Sequence, residues 1–351
     1  MGHGIFNWIK IAAAAMAATA ILAVACGGNG GSDEIDSLVP EGSTLIGDID
    51  FAAVSAGLDW ESLFNALPLE QEGPADFAAF FGGGQVKAGI EFRDVTNVEF
   101  FGNSADASEY FGVVVYGEFD EAAVIAEISA KGDGPLVPDV YKGNDIYTPE
   151  NDPDSFTLSV LDSGTLALGT DRALKDIIDV RAGDRAVASG RLTKSLDDFG
   201  ERLFGLVVQV PAGGASGLRV DPRSLLGDGS GLFGDLPFSL DFLDSMDMLG
   251  VAGSLKGENI GLTAVLDFEN EEAAASTQQF VGGLLSVASS LTPDPQLQEI
   301  LAGLEISQDG VRLTLGIDLP ETVLFDLLGD LTTIASSTTT PREPVPAVPS
   351  N

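Results

Sequence analysis

The chain of 351 residues has one cysteine, Cys26, one histidine, His3, and only 17 Lys and Arg against 54 Asp and Glu. Each shortage closes off a class of chemistry. With a formal net charge of -37 and no cluster of basic residues, nucleic acid is not a partner, because phosphate binding needs concentrated Lys and Arg. A lone thiol forms no internal disulfide, and a body this large needs none, since disulfides staple exported domains too small for a sufficient core. With His3 at the very start, the rest of the chain lacks the imidazole that Ser-His-Asp and Cys-His catalysis and His-based zinc sites require. No serine stands three residues before a lysine, and no Gly-Lys-Ser/Thr phosphate loop occurs. "GDGSGLFG" sets Gly229, Gly231 and Gly234 in G-x-G-x-x-G spacing. No apolar strand leads into it and Pro237 breaks any following helix, so it reads as a loop.

What is abundant is apolar surface, 44% of residues, enough for one large core or two ordinary ones. The acidic excess serves solubility by self-repulsion; the alternative is a surface that draws divalent or cationic partners. Carboxylates are the only plentiful reactive groups. Asp48 and Asp50 in "LIGDIDF" alternate along an expected strand and project from one face, as glycosidase or magnesium carboxylates do, though a solvated strand end is the ordinary reading. Asp152 and Asp154 in "ENDPDS" lack the glycine and distal glutamate of a calcium loop and read as a turn. No metal or cofactor site is expected.

Residues 1–25 read as an export signal: Lys10 supplies charge, "IAAAAMAATAILAVA" supplies about fifteen apolar residues, and the small Ala23 and Ala25 precede the break. The run is shorter than the ~20 residues that span a bilayer. Residues 26–37 form a glycine-rich tether, and the tail 334–351, rich in Ser, Thr and Pro, cannot bury enough apolar surface to order itself. "LAVAC" resembles the lipobox of bacterial lipoproteins, departing from it in having Ala23 where leucine is commonest, with Leu22 one place earlier. The resemblance implies that Cys26 is the lipidation site, receives a diacylglyceryl group and becomes the mature N-terminus. It further implies a partner in the membrane, reached through the N-terminal lipid, and a place on the extracytoplasmic face of a bacterial envelope.

Between tether and tail, two halves share a pattern. "FRDVTNVEFFGNS" from Phe92 parallels "FLDSMDMLGVAGS" from Phe242, "GVVVYGEF" parallels "GLTAVLDF", and the Gly164 turn "DSG" parallels "QDG" at Gly310. The matches keep their order at a nearly constant offset of about 150 residues, the signature of a duplication. The expected class is α+β, with two tandem repeats over 38–190 and 191–333, each an antiparallel sheet with helices packed on one face. "TLIGDIDF" and "GLVVQVP" open the halves as strands. Asp120 and Asn270 are expected N-caps, and "RALKDIID" carries an apolar stripe at Ala173, Leu174, Ile177 and Ile178. "LGTD" and "LGID" are each expected to lead into a further helix, and "TQQFVGGLLSVASSL" is an expected covering helix.

"VPEGSTLIGDIDF" and "SVLDSGTLALGTDRALKDIIDV" resemble phrases of uncharacterised bacterial envelope lipoproteins that repeat this α+β unit, over most of residues 38–190. That resemblance implies a family and carries no catalytic residues. The expected function is therefore a lipid-anchored, non-catalytic binding or scaffolding protein. Two alternatives stand: a carrier of an apolar ligand between sheet and helices, suggested by "FAAFFGGG" and "LFGDLPFSLDFL", and an enzyme using carboxylates or a divalent metal.

Overall fold

The computed structural model describes residues 37–57, 95–104, 109–131, 135–150, 156–211, 245–257, 259–291, 295–320 and 323. Cys26, His3, the G-x-G-x-x-G run, Asp152, Asp154 and both phenylalanine-rich segments lie outside these residues, as do the signal and the tail.

The first part of the chain contributes β1 (Leu45–Asp50), α1 (Phe51–Gly57), β2 (Val95–Gly102), β3 (Phe111–Gly117), α2 (Glu121–Lys131), β4 (Leu136–Tyr141), β5 (Asn144–Pro149), β6 (Thr157–Asp162), β7 (Thr165–Gly169), α3 (Asp171–Arg181) and α4 (Arg191–Asp197). Then follow β8 (Phe204–Gln209), β9 (Met246–Lys256), β10 (Asn259–Phe268), α5 (Glu271–Leu291), α6 (Pro295–Gly303), β11 (Glu305–Asp309) and β12 (Arg312–Pro320). The local signals behave as expected. Asp120 and Asn270 cap α2 and α5, accepting from the Ala123 and Ala273 amides at 3.0 and 2.9 Å. The "DSG" and "QDG" turns join β6 to β7 and β11 to β12. "LGTD" leads into α3 as expected, whereas "LGID" lies within β12, which runs on to Pro320; of the residues beyond it only Val323, which is helical, is described.

All twelve strands join one antiparallel sheet in the order β11-β12-β10-β9-β8-β1-β2-β3-β7-β6-β5-β4. The expectation of a separate sheet in each half is corrected by the β1–β8 pairing, Leu45 against Val208 through Ile49 against Phe204, which fuses them into one surface. Strand alternation divides the sheet into two faces. Ile49, Phe100, Leu166 and Phe204 point to the first face, where α1, α2 and α6 pack. Ala273 and Ala274 of α5 join Leu249, Leu266 and Leu313 on the same side. Ile46, Phe101, Val114 and Val207 point to the second face, under α3 and α4. Helices thus cover both faces, not one. The reason is the α3 stripe: Ala173, Leu174, Ile177 and Ile178 are each at most 1% exposed, and hiding a Leu or Ile side chain is worth about 1.5–3 kcal/mol.

Cross-strand neighbours on the first face explain several glycines. The Phe204 ring lies against Gly253, its partner on β9, and the Phe100 ring covers Gly47, its partner on β1. Any Cβ at Gly47 or Gly253 would collide with those rings.

Candidate functional site

The second face gathers the polar groups. Asp48 on β1 and Glu99 on β2 are direct cross-strand partners at the middle of the sheet. Arg202, in the turn before β8, grips Asp48 with both arms of its guanidinium: Nε donates to Oδ1 at 2.8 Å and Nη2 donates to Oδ2. Burial pushes the Asp48 carboxyl up, and the bonds and charge of Arg202 offset that only in part. Glu99 is pushed up by burial as well, against the Tyr116 hydroxyl, which donates to Oε2 at 2.8 Å, and the Leu38 amide, which donates to the same oxygen at 3.3 Å.

That last bond ties the segment before β1 to the sheet. Leu38 and Val39 belong to the second-face core. The Ala188 amide donates to the Val39 carbonyl at 2.7 Å and the Glu41 amide to the Ala186 carbonyl at 2.9 Å. Residues 38–41 therefore lie against the carboxylate cluster.

Two further clusters hold helices down. Arg312 of β12 forks onto Asp267 of β10 at 2.8 and 3.1 Å and also donates to Asp198 at 2.9 Å and to Ser195 of α4 at 3.1 Å. Arg191 of α4 donates to Asp247 at 3.1 Å. The Asp267 side chain is only 4% exposed, so this fork lies in a setting where removing one partner leaves an uncompensated charge. Arg312 is held even more firmly protonated than an ordinary arginine by its hydrogen bonds to Asp267. On α3, Asp176 accepts from Tyr110 at 2.8 Å and pairs with Arg185 at 2.6 Å. Asp179 accepts from Tyr141 at 3.0 Å and pairs with Lys142 at 2.6 Å. Burial works to raise the Asp179 carboxyl, but these two partners win and hold it below the usual aspartate value.

The two carboxylates singled out in the sequence thus part company. Asp48 is no solvated strand end but is locked to Arg202. Asp50 accepts from the Ala53 amide at 2.8 Å and caps α1. Sequence reading missed Glu99, Tyr116, Arg202, Asp267 and Arg312; the available signal was an acid set among apolar neighbours within a strand, as in "VEFF" and "VLDF". Through these paired charges and hydrogen bonds the arrangement fastens α4 and residues 38–41 to the sheet. Among the described residues, no three His, Cys, Asp or Glu side chains are grouped to hold a metal ion, and no helix is long and apolar enough to cross a membrane.

No family model and no curated protein matches the chain. Among solved structures, crystal form III of TP0453 is similar at TM-score 0.48 and 13% identity, covering 84% of this chain and 96% of that one. Form I matches at TM-score 0.46 and 11% identity, covering 84% and 96%, and form IV at 0.45 and 14%, covering 83% and 95%. Likeness at this level assigns neither activity nor partner.

Proposed function

We propose that the protein is a lipid-anchored, non-catalytic body on the outer side of a bacterial membrane, with a binding or scaffolding role. The observation that carries this reading is Cys26 at the end of an apolar run, in the lipobox-like "LAVAC". Two or three acyl chains at about 0.8 kcal/mol per buried methylene hold a protein far better than a single chain does. The point at which Leu38 meets Glu99 fits such an anchor. A chain extended from residue 26 to residue 38 reaches at most about 40 Å, several times the ~8 Å screening length at physiological salt. A body of charge -37 can therefore stand clear of anionic headgroups that repel it.

The use made of the carboxylates supports a non-catalytic role. Asp48 holds Arg202, Asp50 caps α1, and Asp267 holds Arg312; each fastens one element to another. We further propose that the body arose by duplication. Outward from the β1–β8 pair, the order β1-β2-β3-β7-β6 on one side is matched by β8-β9-β10-β12-β11 on the other, and the β4–β5 hairpin is an addition to the first half. Metabolic labelling with a fatty-acid analogue tests the anchor. Label should appear in the wild type and vanish in Cys26→Ala; equal label in both would overturn it.

A further inference from the structure

Among the described residues the sheet is open and ends in two edge strands, β4 and β11, and they are treated differently. In β4 the hairpin closes on Tyr141 and Asn144, so Val137, Asp139 and Tyr141 direct their backbone groups to β5 while Pro138 and Val140 direct theirs outward. Pro138 has no N–H to offer. The outward amide of Val140 donates to the Asp139 carboxylate at 2.8 Å. Of the outward-facing residues, Pro138 and Val140 thus present no free donor, which blunts that edge against strand addition even though Val137 and Val140 are 47% and 62% exposed.

Among the described residues the other edge has no such device. The β11–β12 hairpin closes on Asp309 and Arg312, which leaves the backbone groups of Ile306 and Gln308 facing outward. Neither residue is a proline, and among the described residues no strand lies beyond β11. The surroundings are acidic. Glu305 and Asp309, both exposed, stand on one face of the strand. Glu271 at the start of α5 comes close to Gly310, and its carbonyl accepts from the Gln308 side chain at 3.3 Å. Arg312 on the neighbouring strand is already engaged by Asp267 and Asp198.

We propose that β11 is a docking edge that takes an extended segment of a partner protein by strand addition, with Lys or Arg at two positions four residues apart facing Glu305 and Asp309. An apolar residue between them meets Ile306. Main-chain bonds from Ile306 and Gln308 supply the binding, and the charges set the choice of partner. A second copy of this chain is a poorer occupant in the register that pairs the whole strand: symmetric pairing centred on Ser307 sets Glu305 against Asp309 twice, and like charges directly opposite destabilise a sheet. This inference names a partner for the binding role proposed above and rests on that reading. Its test is independent of the anchor, so lipidation and docking can fail separately.

The probe is a labelled peptide with the alternation lysine, valine, threonine, valine, lysine, titrated into the whole chain and followed by fluorescence polarisation and amide exchange. The expected result is saturable, salt-sensitive binding with slowed exchange at Ile306 and Gln308. Gln308→Pro, and separately the double charge reversal Glu305→Lys with Asp309→Lys, should each weaken binding by about tenfold or more. The charge reversal, at exposed positions and without touching the backbone, should instead bind the peptide with glutamate in place of lysine. Equal binding to wild type and charge-reversed protein would overturn the proposal. So would exchange protection elsewhere, or a concentration-dependent dimer in sedimentation that Gln308→Pro dissolves, which would make the occupant a second copy.

Discussion

Asp48 and Arg202, 154 residues apart in sequence, form a two-armed ion pair across the seam where β1 meets β8. Among the described residues the seam is the one strand pairing that joins the two halves of the sheet, and the pair secures their union on the second face. Asp48→Ala and Arg202→Ala should each lower stability by about 2 kcal/mol, as for loss of hydrogen bonds to a charged group. In a double-mutant cycle the combined variant should lose less than the sum, with a coupling above about 0.5 kcal/mol. Additive losses by chemical denaturation would show that the pair does not act as one unit.

Glu99 makes stability depend on pH in an identifiable direction. Its folded carboxyl is raised above the ordinary 4.5 by burial, so its contribution is present in full below 4.5 and is lost as pH rises through the folded value. Glutamine keeps an acceptor for Tyr116 and Leu38 without the charge. Glu99→Gln should therefore melt higher than wild type at neutral pH, and the difference should shrink to nothing below 4.5. A difference constant across that range would contradict the assignment. Asp179 works in the opposite sense: its lowered carboxyl supports the fold above 3.8 and withdraws that support as pH falls through its folded value.

The Arg312 fork predicts a local effect. Arg312→Ala leaves the 4% exposed Asp267 side chain without its main partner, at a cost of about 3 kcal/mol. It also frees Asp198 and Ser195, so amide exchange should accelerate in α4 before it does so in α3. Uniform acceleration over both helices would contradict a fastening role.

Close packing of rings on glycine predicts another. Gly253→Ala places a methyl group where the Phe204 ring lies and should cost about 1–3 kcal/mol by overpacking. Phe204→Leu in the same chain should recover part of that loss by opening the space. A Gly253→Ala variant as stable as wild type would exclude the packing account.

Much of the local structure was legible because its causes are local. The caps Asp120 and Asn270, the two turns, and the stripe on α3 each depend on residues within a few positions of one another. The β4–β5 hairpin was missed although its turn is a recognisable one, with Lys142 and Gly143 at φ 49° and 84°; Pro138 breaks the alternation that would have revealed the strand. Long-range relations were illegible. Nothing near "LIGDIDF" specifies that β1 pairs with β8, and nothing near Asp48 names Arg202. The expected one-faced helical layer failed for the same cause: which side of a sheet a helix covers depends on the path of the connection after each strand, and α3 and α4 return across the face opposite α2 and α5.

The central claim is that one sulfur ties an acidic body to a membrane. Intact-mass analysis of the protein extracted from its native membrane tests this most directly. The account predicts a chain that begins at Cys26 and carries a diacylglyceryl adduct. A chain that keeps residues 1–25, or one recovered from the medium with an unmodified thiol, would contradict it.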